Sequence, residues 1–322
     1  MLSRRSLLLT GAAAAVATFG PSLGATAALG QSLPPLKPLR PGSRLRAVNP
    51  GTWLDPGSDL EPLVRSFAAQ GWQLEVPASV KRQWRYFSGT DADRLADLKA
   101  AWSDPDLDGL VYVGAGWGGA RVLESGWRFP QRSLWTLGFS DTSSLLLAQY
   151  RAGLPGALHG STVPSDDAQW ARTIDLLSGR PVAPLRGLGC RSGAGVGPLV
   201  VTNLTVATHL IGTPHFPDLR GCILVLEDVG EAPYRVDRML TQWRSAGLLK
   251  DLAGVGCGRF SWRGEVEPGD FSMAEILENR LGDLGCPLVL DLPVGHGRPN
   301  MALPLGRQAR LDGRYGLLTL LN

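Results

Sequence analysis

The sequence predicts an α/β protein in two parts, an open parallel sheet flanked by helices followed by a mixed α/β second half. Short apolar runs such as 110–113 (LVYV) and 134–137 (LWTL) have the unbroken hydrophobicity of strands buried on both faces. Each is soon followed by glycine and then by a helical pattern, and repeated strand–helix alternation builds a parallel sheet with helices on both sides. The chain has 322 residues, long for a single core and comfortable as two domains.

Along the chain, Arg4 and Arg5 precede an apolar run over 7–19, and Ala25-Thr26-Ala27 offers a small-x-small exit. Residues 1–27 therefore read as an export signal of the twin-arginine type. The run falls short of the roughly 20 apolar residues that cross a bilayer, so a protein outside the cytoplasm, periplasmic or otherwise exported and without stable membrane insertion, is expected. Residues 28–43 form a proline-rich lead-in.

The first domain, 44–180, contains a strand over 45–48, a helix over 59–70 closed by Gly71, and a strand over 72–76. Thr90 and Asp93 have capping-box spacing ahead of a helix whose apolar face carries Leu95, Leu98 and Trp102. The strands at 110–113 and 134–137 come next, then helices over 143–150 and 166–177. Past Pro181 a glycine- and proline-rich stretch runs to Pro198 and marks the domain boundary. The second domain, 181–322, has strands at 222–226, 254–260 and 287–292 and helices at 234–243 and 273–281. Its tail holds short strands around turns at Gly306 and Asp312-Gly313.

Two of the 32 basic residues fall in the signal, so the rest of the chain is nearly balanced against 29 acidic ones. No basic stripe follows a phosphate backbone, which argues against nucleic acid as a partner. The four cysteines, at 190, 222, 257 and 286, form no C-x-x-C pair, against a zinc ribbon or thioredoxin-like centre. Export permits disulfides, yet Cys222 and Cys286 lie in apolar runs and read as buried thiols. The four histidines show no metal-site spacing; neither a metal nor an organic cofactor is expected.

Four segments could carry chemistry. Residues 136–142 (TLGFSDT) end a strand in glycine and place Ser140 at the start of a helix, where a neighbouring N–H at the positive helix end could hold an oxyanion. Thr142 stands where the G-x-S-x-G elbow has glycine, and Ser, Asp and Thr are also ordinary N-caps, the commoner local reading. His296, between Gly295 and Gly297 at the end of an apolar strand, is either a presented side chain or a plain loop histidine. Glu227 and Asp228 close another strand, where a carboxylate could orient a histidine or, with Glu231, cap the next helix. The glycine loop 114–118 (GAGWG) lacks the spacing and lysine of a phosphate cradle; it fits either an oxyanion loop or a tight connection.

The order of these segments resembles the muramoyltetrapeptide LD-carboxypeptidase family of serine peptidases, which includes the microcin C immunity type. The resemblance runs from about Arg44 to the C-terminus. Residues 226–231 (LEDVGE) and 138–141 (GFSD) carry it most specifically. Residues 85–90 (RYFSGT), 116–118 (GWG), His159-Gly160, 203–205 (NLT) and 295–297 (GHG) corroborate it. The resemblance implies Ser140 as nucleophile, His296 as base and Glu227 as its orienter, with backbone N–H groups of Gly116 and Asp141 as oxyanion hole. Arg85 and Trp117 are candidate substrate contacts.

A flavodoxin- or glutamine-amidotransferase-like first domain, a swivelling-barrel-like sheet in the second and a homodimer are further implications. The implied reaction is acyl-enzyme hydrolysis of the bond between an L-configured centre and terminal D-alanine in murein tetrapeptides. Alternatives are another peptide or acyl conjugate handled by the same triad, or a non-catalytic exported peptide-binding protein. Gly114 and Ala115 stand where the family has an arginine and a glycine, in a loop that lies beside the acyl group, and Ser161 and Thr202 also depart from its pattern, which leaves the residue before D-alanine open.

Overall fold

The computed structural model describes residues 30–114, 116–164 and 167–321. The export signal expected over 1–27 lies outside the described residues, as do Ala115 and Asp166. The first half alternates β1 (Arg44–Val48), α1 (Glu61–Ala68), β2 (Gln73–Glu75), α2 (Asp91–Ser103), β3 (Gly109–Tyr112), α3 (Gly119–Glu124), β4 (Trp135–Gly138), α4 (Ser143–Arg151), β5 (Ala157–His159) and α5 (Asp167–Leu177). The second half holds β6 (Leu185–Arg186), β7 (Leu188–Arg191), β8 (Ala194–Asn203), α6 (Leu204–Thr208), β9 (Ile223–Val229), α7 (Pro233–Ser245), β10 (Gly254–Ser261), α8 (Met273–Leu281), β11 (Leu288–Leu290), β12 (Leu303–Pro304), β13 (Gln308–Asp312) and β14 (Leu317–Leu320).

Strands β1 to β5 pair in parallel in the order β5-β4-β3-β1-β2, and β12 adds an antiparallel edge against β5. The order reverses between β1 and β3. In open α/β sheets ligands gather at the carboxyl ends of strands beside such a switch point, and here the 114–118 loop and Ser140 leave β3 and β4 on that side. The second sheet runs β6-β14-β13-β8-β9-β10-β11-β7, with β8 to β11 parallel and the remainder antiparallel. Its two edge strands are joined by Gly187 alone, so the sheet curls into a nearly closed barrel.

The predicted capping box starts α2: Asp93 N–H donates to Thr90 Oγ1 and the Asp93 carboxylate accepts from Thr90 N–H. Every side chain of α4 from Ser143 to Tyr150 is buried, as befits a helix with no solvent face. It packs against β5 on one side and α6 and β8 on the other, so the helix following Ser140 joins the two sheets.

Residues 185–203 correct the sequence reading. The glycine- and proline-rich stretch to Pro198, read without strands, holds β6, β7 and the start of the ten-residue β8, which runs on to Asn203. The glycines that suggested punctuation instead allow strands to approach closely: a β-carbon at Gly195 or Gly197 would strike the carbonyl of Ala253 or Gly221, and one at Gly187 or Gly189 that of Leu290 or Gly313. The lead-in is extended but packed. Leu33 and Leu39 are buried, and their amides donate to Gly306 and Leu177 carbonyls (both 2.8 Å). The four cysteines are free; Cys222, Cys257 and Cys286 are buried, whereas Cys190 is exposed on β7.

Candidate active site

Strand β4 delivers Ser140 to the site. Gly138 packs so closely that a β-carbon there would lie 2.5 Å from Thr142 Oγ1. Ser140 then takes φ +58°, left-handed backbone for a non-glycine residue and a source of local strain. This is the geometry of a nucleophile elbow. Thr142 is accommodated where the usual motif has glycine because its hydroxyl folds back onto the Phe139 carbonyl (2.8 Å).

From the second sheet, β9 ends at Glu227 and Asp228, and the segment after β11 carries His296. His296 Nδ1 lies 2.7 Å from Glu227 Oε2, and its Nε2 lies 3.0 Å from Ser140 Oγ. The His296 backbone N–H also donates to Glu227 Oε2 (3.1 Å). With Nδ1–H donated to the carboxylate, Nε2 is left to accept the Ser140 hydroxyl proton. The Phe139 ring leans on the imidazole, with centroids 4.9 Å apart.

Glu227 is wholly buried. Burial alone would raise its pKa, but the hydrogen bond and charge of His296, with help from His159 and Asn203, overcome it and hold the carboxyl below its usual range. Asn203 Nδ2 donates to Glu227 Oε1 (3.2 Å) and Asp228 Oδ1 (3.3 Å), while its Oδ1 caps α6 through Val206 N–H. Asp228 caps no following helix as one sequence reading had it. It accepts from the amide and hydroxyl of Thr205 (both 2.8 Å), and burial raises its carboxyl despite these donors. Gly295, at φ +100°, brings the backbone so near that a β-carbon would meet Glu227 Oε2 at 2.5 Å. Its amide is fixed by Asn300 Oδ1 (2.9 Å).

The glycine loop is tied to the Ser140 turn through residues that sequence reasoning missed. Gly119 N–H donates to the buried Asp141 carboxylate (2.8 Å). Arg94, fully buried in α2, donates to the carbonyls of Gly118 (2.9 Å) and Pro50, pairs with Asp91, and stacks over Phe87. Burial lowers its pKa, partly offset by Asp91. Thr52 Oγ1 accepts from Trp117 N–H (3.0 Å) and abuts Gly116.

Asp141 begins the turn after Ser140, Gly116 sits against Thr52, and Arg85 and Trp117 are both exposed; among the described residues neither is hydrogen-bonded to Ser140, Glu227 or His296. A charged residue in α2 gave no signal that it would turn inward. His159 gave none of its position either: it is wholly buried, both ring nitrogens are unpartnered, and desolvation pushes its pKa down to about 4.

A cleft of about 490 Å³ opens at His296, lined also by Val229, Gly230, Ser261, Trp262 and Arg263. Trp262 also lines a second hollow of about 310 Å³, with Tyr234, Val266 and Phe271 among its walls. Among the described residues, no helix is long and apolar enough to cross a membrane, and no group of three or more His, Cys, Asp and Glu could hold a metal ion.

Comparison with known proteins bears on this geometry. The LD-carboxypeptidase N-terminal domain matches residues 47–160, and the LD-carboxypeptidase C-terminal domain matches 196–311. The chain is 44% identical to a Synechocystis sp. protein named as a carboxypeptidase, over 88% of this chain and 96% of that one. It is 34% identical to the murein tetrapeptide carboxypeptidase of Pseudomonas aeruginosa, over 79% and 88%. Its fold is similar to that of muramoyltetrapeptide carboxypeptidase from Oxalobacter formigenes, with TM-score 0.77, 24% identity, and 86% and 98% of the two chains covered. The microcin C7 self-immunity protein MccF is also similar in fold, with TM-score 0.74, 17% identity, and 89% and 98% covered. The two domain matches cover most of the chain, in the order in which its two sheets follow one another, and the chain belongs to the LD-carboxypeptidase family of peptidases.

Proposed function

We propose that this protein is an exported serine carboxypeptidase that releases terminal D-alanine from murein tetrapeptides. The observation that carries the reading is the hydrogen-bonded chain from Ser140 through His296 to buried Glu227. Similarity to the Pseudomonas aeruginosa murein tetrapeptide carboxypeptidase supports the substrate. Ser140 Oγ attacks the amide carbonyl as its proton passes to His296 Nε2. The tetrahedral oxyanion is held by the N–H groups of Asp141 and Gly116. His296 then protonates the leaving amine, and water resolves the acyl-enzyme by the same steps.

In this reading residues 44–180 supply the nucleophile and 181–322 its partners, the mature protein follows the signal at 1–27, and two copies pair as a homodimer. Stoichiometric labelling of Ser140 by a serine-directed phosphonate, abolished in His296→Ala, is expected. Absence of labelling together with measurable peptide affinity would favour a binding role instead. Exposed Trp117 beside the glycine loop favours, as second reading, an acyl conjugate with a flat group to stack on it. Faster turnover of such conjugates than of tetrapeptide would support that reading.

A further inference from the structure

We propose that Arg263 recognises the free terminal carboxylate of the substrate and so makes the site selective for a chain end. The assignment rests on the carboxypeptidase reading above. When His296 Nε2 returns its proton, the leaving amine must stand against it, and the α-carboxylate of the departing residue is only two bonds beyond that nitrogen. The leaving residue therefore occupies the cleft that His296 itself lines. Arg263 lines the same cleft.

Its guanidinium has no hydrogen-bond or ion-pair partner among the described residues, whereas two other arginines of the second domain are committed. Arg259 donates to the Pro299 carbonyl (2.8 Å), and Arg235 pairs with Glu231. A planar guanidinium takes a carboxylate through two parallel N–H···O bonds, a match that a neutral amide end does not offer. Next to it the Trp262 indole, which lines the same cleft, lies across Gly264, where any β-carbon would collide with the ring. An endopeptidase would gain nothing from an unpaired cation at this point, because its leaving group continues as a chain.

The test measures release of D-alanine from a tetrapeptide and of D-alaninamide from the same peptide amidated at its C-terminus, by wild type and Arg263→Ala. Wild type should prefer the acid by about 10- to 100-fold in kcat/KM, the range of a charge-assisted hydrogen bond. Arg263→Ala should lose that preference by slowing on the acid alone, while phosphonate labelling of Ser140 stays unchanged. A variant that keeps the wild-type preference, or slows equally on both peptides, would overturn the role of Arg263 and leave the carboxypeptidase reading standing. Failure of wild type to cleave either peptide would overturn both.

Discussion

Gly295 is the residue whose identity the site constrains most tightly. Its φ of +100° and the 2.5 Å approach of a would-be β-carbon to Glu227 Oε2 mean that alanine meets both backbone strain and a direct collision. Gly295→Ala is expected to cost about 2 kcal/mol of stability and to push Glu227 off His296 Nδ1, lowering kcat much more than it raises KM. Denaturation midpoints and steady-state kinetics on one preparation check this. A variant with wild-type kcat would show that the carboxylate can move without consequence. The flanking glycines of His296 were visible in the sequence as freedom for a presented side chain, and the geometry explains why one of them is needed. Ser140 was less legible. Its capping and nucleophilic readings use the same residue types, and the left-handed backbone and 3.0 Å contact with His296 that support the proposed nucleophile leave no mark in the sequence.

At the scale of elements, α2 does more than cover the first sheet. Its capping box was readable because Thr90 and Asp93 are near neighbours in sequence. The inward turn of Arg94 depends on carbonyls of Pro50 and Gly118, far away in sequence, and so left no local signature. Because it ties the 50–52 turn and the glycine loop to one cation, Arg94→Met should let both drift from Ser140. A loss of turnover on the order of 10²-fold is expected, the scale of a misplacement near 1 Å, with Ser140 still present and helix content retained by circular dichroism. Unchanged turnover would separate the loop from the chemistry. Strands β6 to β8 show the opposite failure of legibility. Glycines at 187, 189, 195 and 197 counted in the sequence only toward a glycine- and proline-rich boundary stretch, whereas each allows a backbone to pass where a side chain would not fit. Such crossings depend on partners elsewhere in the chain, and periodicity within the segment does not report them.

At the scale of the molecule, the halves meet over α4, the lead-in and the contact of Ser140 with His296, and buried His159 lies at this junction, facing the charges of Glu227 and His296. Its pKa is about 4 in the folded protein against 6.5 for a free histidine, so the unfolded chain takes up the proton first. Stability is therefore full above about pH 6.5 and declines as pH falls toward 4, by about 3 kcal/mol, levelling off below. Urea unfolding of wild type and His159→Gln at pH 7 and 4.5 should show the decline shrinking in the variant. Equal slopes would mean that His159 is not held neutral. The alternation of the first domain was legible in the sequence because each strand is locally apolar and each helix locally periodic. The closure of the second sheet was not, since it is made by pairing between distant strands.

In the proposed reaction Ser140, activated by His296 and Glu227, cleaves a terminal D-alanine. The most direct measurement is release of free D-alanine from a murein tetrapeptide by purified wild type and by Ser140→Ala. Release by wild type and a loss on the order of 10³-fold or more in the variant are expected, with the fold intact. Comparable release by both proteins would contradict the nucleophile, and no release by either would contradict the reaction.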